Sequence, residues 1–207
     1  MTGTFLPAVE QRALMGHVRR LAGEIGERHV FRPHALAAAA DFIGACWRDQ
    51  GYVVVPQAYE VRGVPCLNLE ATRVGTSRPD RIVLVGAHYD TVVGSPGAND
   101  NSSGVAAMLE LSRLFAGITP AVTVRFVAFV NEESPFFMTG QQGSMVYAAA
   151  ARGRQDDIRL MLSLETLGYY RSETGSQHYP PLFRLFYPDR GDFLALVSNL
   201  RSRPEML

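Results

Sequence analysis

The chain has 207 residues, 47% of them hydrophobic and 19% charged, and its 20 Lys and Arg balance 20 Asp and Glu. Such a composition supports a real core and excludes a disordered chain. The even charge balance excludes recruitment of nucleic acid or an anionic membrane through bulk electrostatics. Cys46 and Cys66 form neither a metal-type spacing nor a disulfide framework and read as packed thiols. The N-terminus lacks the basic-then-apolar layout of a signal peptide, and no apolar run approaches the roughly 20 residues that span a bilayer. A single domain over residues 1–207, cytoplasmic and without a membrane partner, is the expectation.

In chain order, Val9, Leu14, Val18, Leu21 and Ile25 recur at mostly helical spacing and predict a packing helix from about Pro7 to Gly26. A second helix is expected after Pro33, running through Ala35 to Ala40, with Phe42, Ile43, Cys46 and Trp47 as its buried stripe and Gly51 as its stop. Two strand-like runs follow, Tyr52 to Val61 and Cys66 to Thr72, with a turn at Gly63 and a solvated loop from Gly75 to Asp80. Ile82 to Val85 is a continuous, mostly β-branched run of the kind buried on both faces of a sheet. It leads into His88 and Asp90, which share one side of the strand if it extends that far. A loop rich in Gly, Pro, Ser and Asn then carries Asp100 and Asn101, and Ser102 or Ser103 is placed to cap a helix through Val105, Met108, Leu109, Leu111, Leu114 and Phe115.

The pattern repeats downstream. Val122 to Val130 is apolar and ends in Asn131, Glu132 and Glu133; Gly140 to Ala151 reads as a helix; Leu160 to Leu164 is a third apolar run ending at Glu165. Strands alternating with helices, with acid or imidazole groups at the carboxyl end of three different strands, predict a three-layer α/β fold. Its largely parallel mixed sheet is flanked by helices and carries one site along its carboxyl edge.

His88, Asp100, Glu133 and Glu165 are imidazole and carboxylate donors suited to a divalent metal such as zinc, and Asp90 and Glu132 are left beside them. So many carboxylates at one sheet edge repel one another unless cations are present. Two adjacent metals sharing a carboxylate resolve that conflict, and such a pair activates water and polarises a carbonyl while a free carboxylate takes the proton. His17, His29 and His34 lie in the polar N-terminal region and read as surface residues, and His178 as a loop residue near the pocket. The loops carrying Pro135, Phe136, Phe137 and Met138, and Tyr169 and Tyr170, bring apolar surface beside the acid residues, either as substrate pocket or as core.

Four segments in order, Gly86-Ala87-His88-Tyr89-Asp90, Gly97-Ala98-Asn99-Asp100-Asn101-Ser102-Ser103-Gly104, Asn131-Glu132-Glu133 and Leu164-Glu165-Thr166, resemble the motifs of co-catalytic zinc exopeptidases. That family includes bacterial leucyl aminopeptidases, with glutaminyl cyclases as relatives. The resemblance runs from about Pro33 to the C-terminus. It implies a zinc-dependent aminopeptidase acting on a peptide or small aminoacyl substrate, with one zinc on His88 and Glu165, another on Glu133, and Asp100 bridging both. It further implies that Glu132 is the general base, that Asp90 orients the imidazole, and that the Asp100–Asn101 peptide bond is cis.

Two departures from the pattern stand out. Many relatives carry Asp where this chain has Glu165, whose extra methylene allows the same ligation from a backbone set further back. Relatives also extend past Leu207 and supply there a last histidine for the metal held by Glu133, so the chain is expected to be the N-terminal part of the family domain. It should then hold one zinc well and a second poorly, and self-associate through uncovered apolar surface. The alternatives are a glutaminyl-cyclase-like acyltransferase and a catalytically impaired remnant.

Overall fold

The computed structural model describes residues 8–199. Helix α1 spans Gln11–Val18 and continues with a wider, π-helical pitch over Arg19–Ile25, until Gly26 turns the chain at φ 77°. The expectation of one regular helix from Pro7 is corrected accordingly; Pro7 itself lies outside the described residues. Helix α2, Pro33–Asp49, starts with proline where its missing N–H is no loss. Ile43 and Trp47 of its expected stripe are fully buried, whereas Phe42 and Cys46 sit at the margin of the core.

Five strands follow the expected order, with ends shifted by a few residues: β1 Val54–Val61, β2 Val64–Arg73, β3 Arg78–His88, β4 Val122–Phe129 and β5 Asp157–Ser163. They form one sheet in the order β1-β2-β4-β3-β5. Strands β1 and β2 are an antiparallel hairpin closed by Arg62 and Gly63, both at positive φ, the geometry whose twist matches paired strands. Strand β2 runs antiparallel to β4, while β3 runs parallel to both β4 and β5. The site-bearing half of the sheet is therefore the parallel half.

Helices cover both faces. On one, Val85 and Ala87 of β3 and Val124, Phe126 and Ala128 of β4 pack with Trp47 and Ile43 of α2 and with Val105, Met108 and Leu109 of α3, Gly104–Ala116. On the other, Leu84, Val127 and Phe129 pack against Tyr147 and Ala151 of α4, Gly143–Gly153. Alternate residues of β4 thus serve two cores, which is why its sequence is apolar apart from Thr123 and Arg125. Strand β5 is an edge: Met161 and Leu162 are each 42% exposed, so its apolar run does not mark a strand buried on both faces.

The expected serine cap of α3 is also corrected. Ser102 and Ser103 turn their hydroxyls back to the carbonyls of Gly97 and Asn99, and Asn101 Oδ1 accepts from the Gly104 N–H at 3.1 Å. An asparagine three residues ahead of a backbone donor closes that turn, leaving the serines to brace the loop. Gly104 is a point of close approach, because a Cβ there would run into the Asn101 side chain and the Leu164 carbonyl. Gly104→Ala should lower stability by about 1–3 kcal/mol, the usual penalty of overpacking. Urea denaturation checks this, and an unchanged midpoint with unchanged slope would contradict the packing.

Candidate metal centre

The carboxyl ends of β3, β4 and β5 lie side by side, and the acid residues converge there on one imidazole. His88, at the last position of β3, has a side chain only 3% exposed. Its Nε2 lies 3.1 Å from Asp100 Oδ1, 3.4 Å from Glu165 Oε1 and 3.9 Å from Glu132 Oε2, and its Nδ1 lies 3.4 Å from Asp90 Oδ1. His88, Asp100 and Glu165 form one set of donor atoms all within 4.8 Å of one another, and His88, Glu132 and Glu133 form another. All six residues read from the sequence are thus brought together. His178 is exposed and belongs to neither set.

Local structure explains the aim of each side chain. Asn131, two residues past β4, lies in the left-handed region at φ 59°, a conformation that asparagine tolerates better than most residues. Its Nδ2 donates to the Tyr59 hydroxyl at 3.1 Å. The turn sends the successive N–H groups of Glu132 and Glu133 to the two oxygens of Asp90, each at 3.1 Å. Buried Asp90 therefore links β3 to the Glu-Glu pair besides facing the imidazole. The Asp100–Asn101 peptide bond is cis. Asn101 ties it to the β5 end: Nδ2 donates to the Leu164 carbonyl at 2.8 Å and to Glu165 Oε2 at 3.3 Å, and Oδ1 accepts from Thr166 N at 3.3 Å. Thr166, β-branched at φ 48°, stores backbone strain immediately after Glu165. Sequence reading missed this bracing role of Asn101, for which its place beside Asp100 was the available signal.

Two of the three N-terminal histidines are corrected. His34 is exposed as expected, but His29 is 7% exposed and bonded to Glu27 at 2.8 Å through Nε2, and His17 is half-buried against the Phe42 ring. Alternating charged residues around His29 disguised a loop that folds under the site.

The electrostatics are those of an anion-crowded pocket. Burial alone lowers the His88 pKa, but Asp90 and Glu165 outweigh it and push it up to about 11. Glu132 is raised by burial and by Asp90, Glu133 and Glu165 against the opposing pull of His88; Glu133 is raised by burial and by Asp100. Without a cation, five carboxylates share one imidazolium, an arrangement that favours protonation. The donor types and spacing fit a divalent cation that would take the place of those protons.

The profile of Peptidase family M28 matches residues 68–185, more than half of the chain. The chain therefore belongs to Peptidase family M28. It is 37% identical over 193 residues to YfbL of Escherichia coli (strain K12), an alignment covering 89% of this chain and 58% of that protein. It is 53% identical over 55 residues to aminopeptidase YwaD of Bacillus subtilis, covering 27% of this chain and 12% of that one. Among solved structures, the fold resembles BSAP, a zinc aminopeptidase from Bacillus subtilis, with a TM-score of 0.71 at 16% identity over 84% of this chain and 72% of that one. It also resembles glutaminyl cyclase from Bacteroides thetaiotaomicron, with a TM-score of 0.65 at 18% identity over 82% and 65%. The chain spans little more than half the length of YfbL, and no helix among the described residues is long and apolar enough to cross a membrane.

The site charges set a pH dependence. His88, Glu132 and Glu133 all bind protons more tightly folded than unfolded, so their contribution to metal-free stability is complete below the unfolded values. It declines as pH rises past the ordinary carboxylate value of 4.5 and is lost through His88's value of about 11. Melts in chelator should show stability falling with pH across this window, and a saturating divalent cation should flatten or reverse the fall. Identical pH profiles with and without cation would contradict the competition between cation and protons.

Proposed function

We propose that this chain carries the zinc-binding catalytic edge of an aminopeptidase-type hydrolase acting on peptides or small aminoacyl compounds. The single observation that carries this reading is the pair of donor sets that share His88 at the carboxyl edge of the parallel strands, one with Asp100 and Glu165 and the other with Glu132 and Glu133. Membership of the peptidase family and the zinc aminopeptidase fold neighbour support it. His88 and Glu165 would hold one zinc, Glu133 the other, and Asp100 would bridge them. When bound, zinc supplies Lewis-acid polarisation of the scissile carbonyl and acidifies water.

The protein's own groups do the rest. Glu132 sits between His88 and open solvent, with its side chain 28% exposed, so its carboxylate can accept a proton from the attacking water and deliver it to the departing amine nitrogen. Asp90 holds the Glu132 and Glu133 backbone by two N–H bonds, fixing which carboxylate faces the substrate and which the cation. Asn101 fixes Asp100 and Glu165 relative to each other.

Beside Glu165 lies a cavity of about 370 Å³ lined by Leu167, Tyr169, Phe193, Leu194 and Val197, with Asn99 and Gln177 as polar members. It suits an apolar substrate side chain. Of the aromatic residues expected near the site, Tyr169 lines this cavity and Phe136 is core, while Phe137 and Tyr170 stand exposed. In this reading one zinc is held tightly and the second weakly, since Asp100 and Glu133 alone compete poorly with water. Exposed Met161 and Leu162 on the edge strand support self-association of the chain.

Zinc analysis after dialysis, paired with hydrolysis of an aminoacyl anilide, tests the assignment. Glu132→Gln should retain zinc and lower turnover by a factor on the order of a hundred or more, whereas Glu133→Gln should lower zinc content. Equal zinc loss in both variants would overturn the division of roles. Zinc binding without any hydrolysis would favour the impaired remnant, and cyclisation of an N-terminal glutaminyl peptide would favour the acyltransferase. Tyr169→Ala should raise KM for substrates with large apolar side chains more than for alanyl ones; equal effects on both would remove Tyr169 from the pocket.

A further inference from the structure

Arg28 lies ahead of the residues matched by the family profile, in the loop between α1 and α2, and is completely buried. Its guanidinium donates to five oxygens, all of them neutral. Nε reaches the Tyr89 carbonyl; one terminal nitrogen reaches the carbonyls of Leu21, Gly26 and Pro96, the last at 2.8 Å; the other reaches Ser102 Oγ at 2.7 Å. Its backbone is bonded in both directions to Thr91, with Arg28 N on Thr91 Oγ1 at 3.0 Å and Thr91 N on Arg28 O at 2.9 Å. Ser102 in turn donates to the Gly97 carbonyl at 2.6 Å.

A cation buried without an ionic partner is expensive, and replacing it by an apolar side chain is generally no worse for stability alone. What other side chains cannot do is reach acceptors in several directions from one rigid plane. Three of the five acceptors lie on the segments on which the proposed ligands are mounted, and the other two, Leu21 and Gly26, anchor the guanidinium to the end of the first helix: Tyr89 lies between His88 and Asp90, Pro96 is in the middle of the following loop, and Ser102 is two residues past Asp100. The carboxylate whose charge acts on Arg28, without a hydrogen bond between them, is Asp90, which itself holds the Glu132 and Glu133 backbone.

We propose that Arg28 is a positioning residue that fixes the His88-to-Asp100 loop in its metal-binding shape, so that the segment before the matched region is a working part of the site. The inference rests on the zinc reading above. Zinc affinity is measured by chelator competition, and thermal melts are recorded with and without zinc, on the chain and its Arg28→Lys and Arg28→Met variants. Both variants should weaken zinc binding by about ten- to a hundredfold and shrink the zinc-induced rise in Tm. Lysine does not rescue, because one ammonium cannot reach all the acceptors. A purely structural role would lower both melting temperatures in parallel and leave zinc affinity unchanged, and that result overturns the proposal. Should neither variant fold, Ser102→Ala decides, since it removes the Arg28 contact nearest Asp100 together with the hydrogen bond to Gly97 through which that contact braces the loop: weaker zinc binding supports the proposal and wild-type affinity overturns it. Failure of the unmodified chain to bind zinc would overturn the zinc reading itself, whereas tight zinc binding that ignores all three substitutions would overturn this inference alone.

Discussion

Crowded like charge is the constraint from which the rest of this structure follows. Asp90, Asp100, Glu132, Glu133 and Glu165 surround one buried imidazole at a sheet edge. Placing them there raises the proton affinity of the groups that burial and their neighbours affect most. Such an arrangement makes sense as a fixed receptor for cations, because a receptor gains affinity in proportion to the repulsion it holds ready to relieve. The fold opposes the tendency of these side chains to swing apart by mounting four of them just past the ends of parallel strands and Asp100 in the loop that enters α3, and by bracing them through the backbone. Asp90 braces the Glu-Glu pair, and Asn101 braces Asp100 against Glu165.

The supports differ in kind. Asp90 and Asn101 sit within the motifs they support and act over one or two hydrogen bonds. Arg28 acts from the opposite end of the chain's N-terminal half, through neutral oxygens spread from Leu21 to Ser102. Both arrangements leave the site faces of Asp100 and Glu165 open, with side chains 53% and 45% exposed, so rigidity is supplied from beneath while access stays above.

Much of this was legible in the sequence because strand period and strand ends are local signals. The apolar runs at Ile82 and Val122 located β3 and β4, and the groups following them were the ones that met. Asp100-Asn101 marked the loop correctly. What escaped was non-local or conformational. Nothing in Gly-Glu-Arg-His announces that Arg28 and His29 are buried, since their partners lie far along the chain or depend on the turn at Gly26. The left-handed turn at Asn131 cannot be told from a solvated asparagine without knowing where Asp90 stands. The apolar run at Leu160 located strand β5, but not that it forms the edge of the described sheet, since strand order depends on pairing partners far along the chain.

The central claim is that zinc is held at His88 and at no other imidazole. The chain has five histidines, His17, His29, His34, His88 and His178, so long-range proton–nitrogen NMR of the imidazoles during a zinc titration can resolve the claim residue by residue. Binding at the proposed centre should shift the His88 Nε2 resonance strongly while the other four stay near their zinc-free positions. A strong shift at His178 or at an N-terminal histidine with His88 unmoved, or no shift at any imidazole, would contradict the account.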